Sequence, residues 1–214
     1  MKAIHIVSRV LAAAVMIAAT TSCGSVVRSG TAPVFLVIDK IVGVRGAATP
    51  GQPSVPLISD VISLVTTPAP CSDASPCPEF FNDTAVATLR LSLKNIGVAG
   101  TTTTPTTNNE VTITRVHVSF QRTDRPNGGQ EGVDVPYAFD SASTGTVPAS
   151  GTIDLPFEIV RNSAKLEAPL LALRTNNIII SMIANLTFYG QDQVGNAISA
   201  TGTLQVDFGN FGDQ

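Results

Sequence analysis

The sequence predicts an all-β fold, an antiparallel sandwich of about eight or nine strands with at most one short helix. Three observations carry this expectation. Several long stretches alternate apolar and polar residues with a period of two, clearest at Ala85, Ala87, Leu89, Leu91 and Leu93. β-branched residues dominate those stretches, and helix-forming runs are few. Clusters of Gly, Pro, Asn and Asp separate the stretches, and no internal repeat is present.

The chain opens on an export segment rather than on the sandwich. Lys2 and Arg9 give it a positive start, and residues 10–19 are an apolar run of Leu, Ala, Val, Met and Ile. A bilayer span takes about 20 apolar residues, so this run is too short to cross one and reads as a secretory signal over residues 1–22. It ends in Ala19, Thr20, Thr21, Ser22, Cys23 and Gly24. A cysteine directly after small residues resembles the lipobox of bacterial lipoproteins, with Thr20 at the place where that family usually has Leu. The resemblance implies cleavage before Cys23 and acylation of its thiol, with palmitate as the expected chain. Gly24 follows the cysteine where Asp would favour retention at the inner membrane, so the implied location is the outer membrane. Residues 23–32 then form a short lipid-anchored tether.

Removing residues 1–22 leaves 192 of the 214 residues, with 11 Lys and Arg against 16 Asp and Glu. That length suits one domain, expected over residues 33–209, with 210–214 as a tail. The mildly acidic balance excludes nucleic acid as a partner and argues against peripheral attachment to anionic lipid. Membrane contact would therefore be through the covalent anchor.

Residues 34–38 and 41–44 read as extended, and 46–56 as loop. A short second strand is expected over 61–66. Residues 68–78 hold Pro68, Pro70, Pro76 and Pro78 and cannot be a central strand, because proline lacks the ladder's donor. The same stretch carries Cys71 and Cys77. In an oxidising compartment so close a pair predicts a disulfide closing a surface loop. The rival reading is half of a metal site, which would need a second pair of ligands. No second Cys pair exists, and the exported part has one histidine, His117.

Residues 85–93 form a half-buried strand. The loop that follows runs from 97 to 109 and includes the Thr-rich tract 101–107, which reads as a flexible loop or as an acceptor of O-linked sugar. Residues 111–121 are strand with a slip in phase: Val111 and Ile113 share one parity, and Val116, Val118 and Phe120 the other. The slip predicts a bulge near Thr114 or Arg115, which leaves Arg115, His117, Ser119 and Gln121 on the polar face. A turn at 123–130 and a strand at 133–139, bent or at an edge because of Pro136, come next. Residues 140–151 read as loop, and Ile153, Leu155, Phe157 and Ile159 as one face of a strand. Residues 163–173 are the one plausible helix, with Ser163 as its cap and Pro169 limiting its length.

The last strands are the clearest. Ile178, Ile180, Met182, Ala184, Leu186 and Phe188 alternate, then a turn at 190–196, then Ile198, Ala200, Gly202, Leu204, Val206 and Phe208. The run Tyr189, Gly190, Asp192, Gly195, Asn196 resembles the closing hairpin of bacterial immunoglobulin-like domains. That resemblance implies an immunoglobulin-like sandwich and brings no catalytic residue with it.

Motifs for chemistry are sparse. No G-x-S-x-G, dinucleotide glycine run, P-loop or C-x-x-C-H is present, so no cofactor is expected. A nucleophile would have only His117 as base, and His117 otherwise reads as a surface residue. Asp124, Asp134 and Asp140 are candidates for paired-carboxylate chemistry or, with Asp192 and Asn196, for calcium. Aspartates in turns otherwise bond the turn backbone. With no Trp and two Tyr, the aromatic platforms of carbohydrate-binding sandwiches are missing. The expectation is a non-catalytic envelope lipoprotein, a structural or protein-interaction module with an envelope or extracellular protein as partner. The alternative is a lipoprotein that binds a small molecule or sugar.

Overall fold

The computed structural model describes residues 32–95 and 104–212. The export segment, Cys23, nearly all of the tether and the first part of the Thr-rich loop lie outside the described residues.

Eleven strands are present among the described residues: β1 (Val34–Val44), β2 (Leu57–Asp60), β3 (Ser63–Val65), β4 (Cys77–Glu79), β5 (Asp83–Leu93), β6 (Val111–Gln121), β7 (Phe139–Ser141), β8 (Gly145–Val147), β9 (Thr152–Val160), β10 (Ile180–Asp192) and β11 (Ala197–Gly209). One sheet has the order β1-β5-β9, and the other β2-β11-β10-β6-β7, with β8 also paired to β6. β3 and β4 make a separate two-stranded hairpin. Every pairing is antiparallel except that of β2 with β11. Two sheets of this order, one centred on β11, β10 and β6 and the other on β5, make an antiparallel immunoglobulin-like sandwich.

The alternation in the sequence builds the core. Ala85, Ala87, Leu89 and Leu91 of β5 face inward, as do Met182, Ala184, Leu186 and Phe188 of β10. Phe157 of β9 meets Phe188 edge to face at 5.5 Å, joining the two sheets. Gly202 of β11 permits close approach of β1, since a Cβ there would stand 2.8 Å from Ile41 Cδ1.

The predicted slip in β6 is a bulge. Arg115 pairs with Tyr189 and Ile113 with Gly190, which leaves Thr114 unpaired. Inward parity therefore passes from Val111 and Ile113 to Val116, Val118 and Phe120. Opposite the bulge, Gly190 lies so close that a Cβ would stand 2.7 Å from the Thr112 carbonyl oxygen. A second bulge, at Asp39 of β1, shifts the pairing with β5 between Ile38 and Lys40.

Several expected boundaries differ. The segment 61–66 is not one strand: β2 precedes it and β3 occupies its middle, because Asp60 and Val61 turn the chain toward Gly209. Residues 133–138 are turn and loop rather than strand, since Asp134 accepts the Gln130 N–H at 3.1 Å and Pro136 has no donor for a ladder. Pairing resumes at β7, and the expected loop 140–151 contains part of β7 and all of β8. The expected helix is a single turn, α1 (Asn162–Lys165), followed by a 3-10 turn at Leu170–Arg174. Arg161, not Ser163, is the residue at its cap. Leu170 and Leu173 are buried as the spacing required, whereas Leu166 is exposed and Lys165 is buried in its stead.

Cys71 and Cys77 are joined by a disulfide, with Cα atoms 5.4 Å apart, which closes the loop between β3 and β4. The register places the start of β1, the end of β5 and the β10–β11 turn at one end of the sandwich. The hairpin, the turn at 123–135 and α1 follow or precede strand ends at the other.

Two measurements check this packing. Gly190→Ala forces the strands apart at the bulge, and we expect urea unfolding to give a loss of about 1–3 kcal/mol. Replacing Cys71 and Cys77 together by Ser releases a short closed loop, with an expected loss of about 2 kcal/mol.

Candidate functional site

The β6 bulge aims Thr114 and Arg115 into a groove of about 490 Å3 at the end of the sandwich where β1 begins. Phe35 and Lys94 form one wall, and Arg115, Tyr189 and Ser199 the other. Each cation lies over an aromatic ring: Lys94 Nζ is 5.3 Å from the Phe35 centroid, and the Arg115 guanidinium 4.2 Å from that of Tyr189. Phe35 is 54% exposed although it sits in a regular strand. The groove is thus lined by two cation–aromatic pairs, and one of the cations, Arg115, is also paired with Asp140.

The polar wall extends along β6. Arg115 Nη1 donates to Asp140 Oδ2 at 2.6 Å, and His117 Nδ1 lies 2.8 Å from Asp140 Oδ1. His117 and Asp140 are directly opposite each other in the β6–β7 pair. The hydrogen bond from His117 is the main influence holding the Asp140 carboxyl below its ordinary range, with Arg115 second. An ionised carboxylate accepts, so the His117 Nδ1–H donates to Asp140. All three side chains are partly exposed.

The other carboxylates singled out in the sequence are engaged separately. Asp124 accepts both Nε and Nη2 of Arg122, at 2.9 and 2.6 Å, which lowers its pKa. Asp134 pairs with Arg125 at 3.3 Å. Asp192 Oδ1 accepts the backbone N–H groups of Val194 and Asn196, and its Oδ2 accepts the Asn196 amide, so these two residues close the hairpin turn. Among the described residues no three His, Cys, Asp or Glu side chains converge as a metal site would require. His117 is brought to Asp140 alone. Cys23 lies outside the described residues.

Residues that the sequence reading passed over form a second, buried cluster. Asp83 and Lys165 are fully buried, with Lys165 Nζ 2.9 Å from Asp83 Oδ2. The Gly46 N–H donates to Asp83 Oδ1 at 2.7 Å, and the Ser59 hydroxyl to Oδ2 at 2.6 Å. Burial pushes the Asp83 carboxyl up, against the lowering effect of Lys165 and of the two donors. The sequence did carry one signal: Asp83 shares the inward parity of Ala85, Ala87 and Leu89.

No family model, curated protein or solved structure matches this chain.

The Asp140 site has a direct check. Its lowered pKa means that its contribution to stability is present above the ordinary carboxylate value, near 3.9. The contribution is lost as pH falls through the lower folded value. A carboxyl-detected NMR titration should place the Asp140 midpoint below that ordinary value, and His117→Ala should raise it more than Arg115→Ala does.

Proposed function

We propose that this chain is a lipid-anchored protein of the bacterial envelope, held through Cys23, that acts without catalysis as a structural or protein-interaction module. The observation that carries this reading is the order of the chain: a short apolar export run, a cysteine after small residues, then a brief tether leading straight into β1. The outer membrane is the expected site, from Gly24. The core supports a scaffold role, because both sheets fill the space between them with aliphatic and aromatic side chains. The polar residues support it as well. Arg115 and His117 are held to Asp140, Arg122 to Asp124 and Arg125 to Asp134, so these carboxylates are engaged in surface pairs.

With the tether entering at β1, the groove end of the sandwich faces the membrane and the end with α1 and the disulfide hairpin faces away. Exposed Tyr137, Leu166, Leu171, Ile178 and Ile179 lie on segments at that outward end. An envelope protein meeting the module would approach these segments.

The groove favours a second reading, a lipoprotein that binds a small molecule. Its volume falls in the range of ligand sites, and its lining pairs cations with aromatic rings. An anionic amphiphile or planar carboxylate is the class that this lining would take.

The anchor is tested in the native host by intact mass and membrane fractionation, beside Cys23→Ala. We expect the wild type in the membrane fraction, beginning at Cys23 and carrying acyl mass, and the variant released from it. A soluble wild type whose fractionation the substitution leaves unchanged would refute the anchor.

A further inference from the structure

Lys165 is among the largest fully buried side chains of the described residues, and no apolar packing role requires an amino group there. Its Nζ makes no hydrogen bond of ordinary geometry among the described residues, although Asp83 Oδ2 stands 2.9 Å away. An ammonium has three donors, and burying it beside one carboxylate with poor angles costs more than the attraction returns. The carboxyl, by contrast, is well held: Gly46 N–H fixes Oδ1 and the Ser59 hydroxyl fixes Oδ2. Two donors aimed at the oxygens of a carboxyl, with an amine in contact and water excluded, form the geometry of acyl transfer rather than of a relaxed ion pair.

From this geometry we infer that Lys165 and Asp83 condense to an intramolecular amide. The step begins when one proton passes from Nζ to Oδ2 across the 2.9 Å contact, giving an amine beside a carboxylic acid. The Nζ lone pair attacks Asp83 Cγ, and the Gly46 N–H stabilises the negative charge that develops on Oδ1. A second proton moves from Nζ to Oδ2 across the same 2.9 Å contact. The Cγ–Oδ2 bond breaks, and Oδ2 leaves with both protons as water. One N–C bond forms and one C–O bond breaks, with no change of oxidation state and no co-reactant. In the product Oδ1 still accepts from Gly46. Both buried charges are gone. The bond ties the start of β5 to α1, closing the chain between residues 83 and 165 into a covalent loop independent of the Cys71–Cys77 bridge.

Tryptic digestion of the reduced full-length protein tests the inference without relying on any variant to fold. Lys165 in an amide resists cleavage. The digest should therefore yield residues 46–90 joined to residues 162–174, lighter by one water than the two peptides together. Fragmentation should place the link at Asp83 and Lys165. A Lys165→Arg protein should yield the 46–90 peptide free and be cleaved after position 165. Recovery of free 46–90 and of cleavage after Lys165 from the wild type would overturn the proposal and leave a plain ion pair.

Discussion

A carboxyl group without water must be satisfied by its neighbours, and much of this sandwich is arranged around one that is. Asp83 opens β5 on the inward parity, where the following positions are Ala and Leu. Its oxygens are met from three parts of the chain: the Gly46 backbone after β1, the Ser59 hydroxyl in β2 and the Lys165 amine in α1. Those contacts fasten the crossing by which the chain leaves one sheet after β1 and joins the other as β2. The neighbouring residues reinforce the same place, with Arg45 paired to Asp60 at 3.1 Å and the Phe211 N–H donating to Asp60 Oδ1 at 3.3 Å. β2 is only four residues long and lies parallel to β11. So short a pairing has little stability of its own, and the buried polar cluster gives it a fixed position.

The opposite end depends on a different device. The Thr114 bulge rotates the remainder of β6 so that Arg115 and His117 lie on the outer face, where they meet Tyr189 and Asp140. Gly190 allows the close strand approach that this requires. One end of the molecule is therefore a charged, aromatic groove beside the entry of the tether. The other carries apolar loop residues above a core pinned by Asp83. The proposed membrane anchor would hold the groove end and leave the other end to a partner.

Much of the fold was legible because its largest elements obey local rules. β5, β10 and β11 alternate without interruption, and the one-residue slip in β6 was visible as a change of parity between Ile113 and Val116. The Cys71–Cys77 pair and the Asp192–Asn196 turn were readable from spacing and turn chemistry. What escaped was decided by distant partners. β2, β7 and β8 are three or four residues long, and each becomes a strand only because β11 or β6 offers it an edge. The stretch 133–138 has strand-like composition, but the Asp134 side chain and Pro136 bend it away from β6. Lys165 sits between Ala164 and Leu166 in a segment read as an amphipathic helix, so the leucines were the expected core contacts. A single turn of helix points Lys165 inward, and only the presence of Asp83, eighty-two positions earlier, makes that placement tolerable. The groove was foreshadowed only by the bulge, since Phe35 of β1 and Lys94, just after β5, share no local pattern with β6.

The dependence of the crossing on Asp83 is open to one direct measurement: residue-resolved amide hydrogen exchange on the wild type and on an Asp83→Leu, Lys165→Met protein, which removes both polar partners without leaving one buried alone. The account predicts that Gly46, β2 and α1 lose protection together while β6, β10 and β11 retain theirs. Protection that is unchanged at Gly46 and β2, or lost evenly across both sheets, would contradict it.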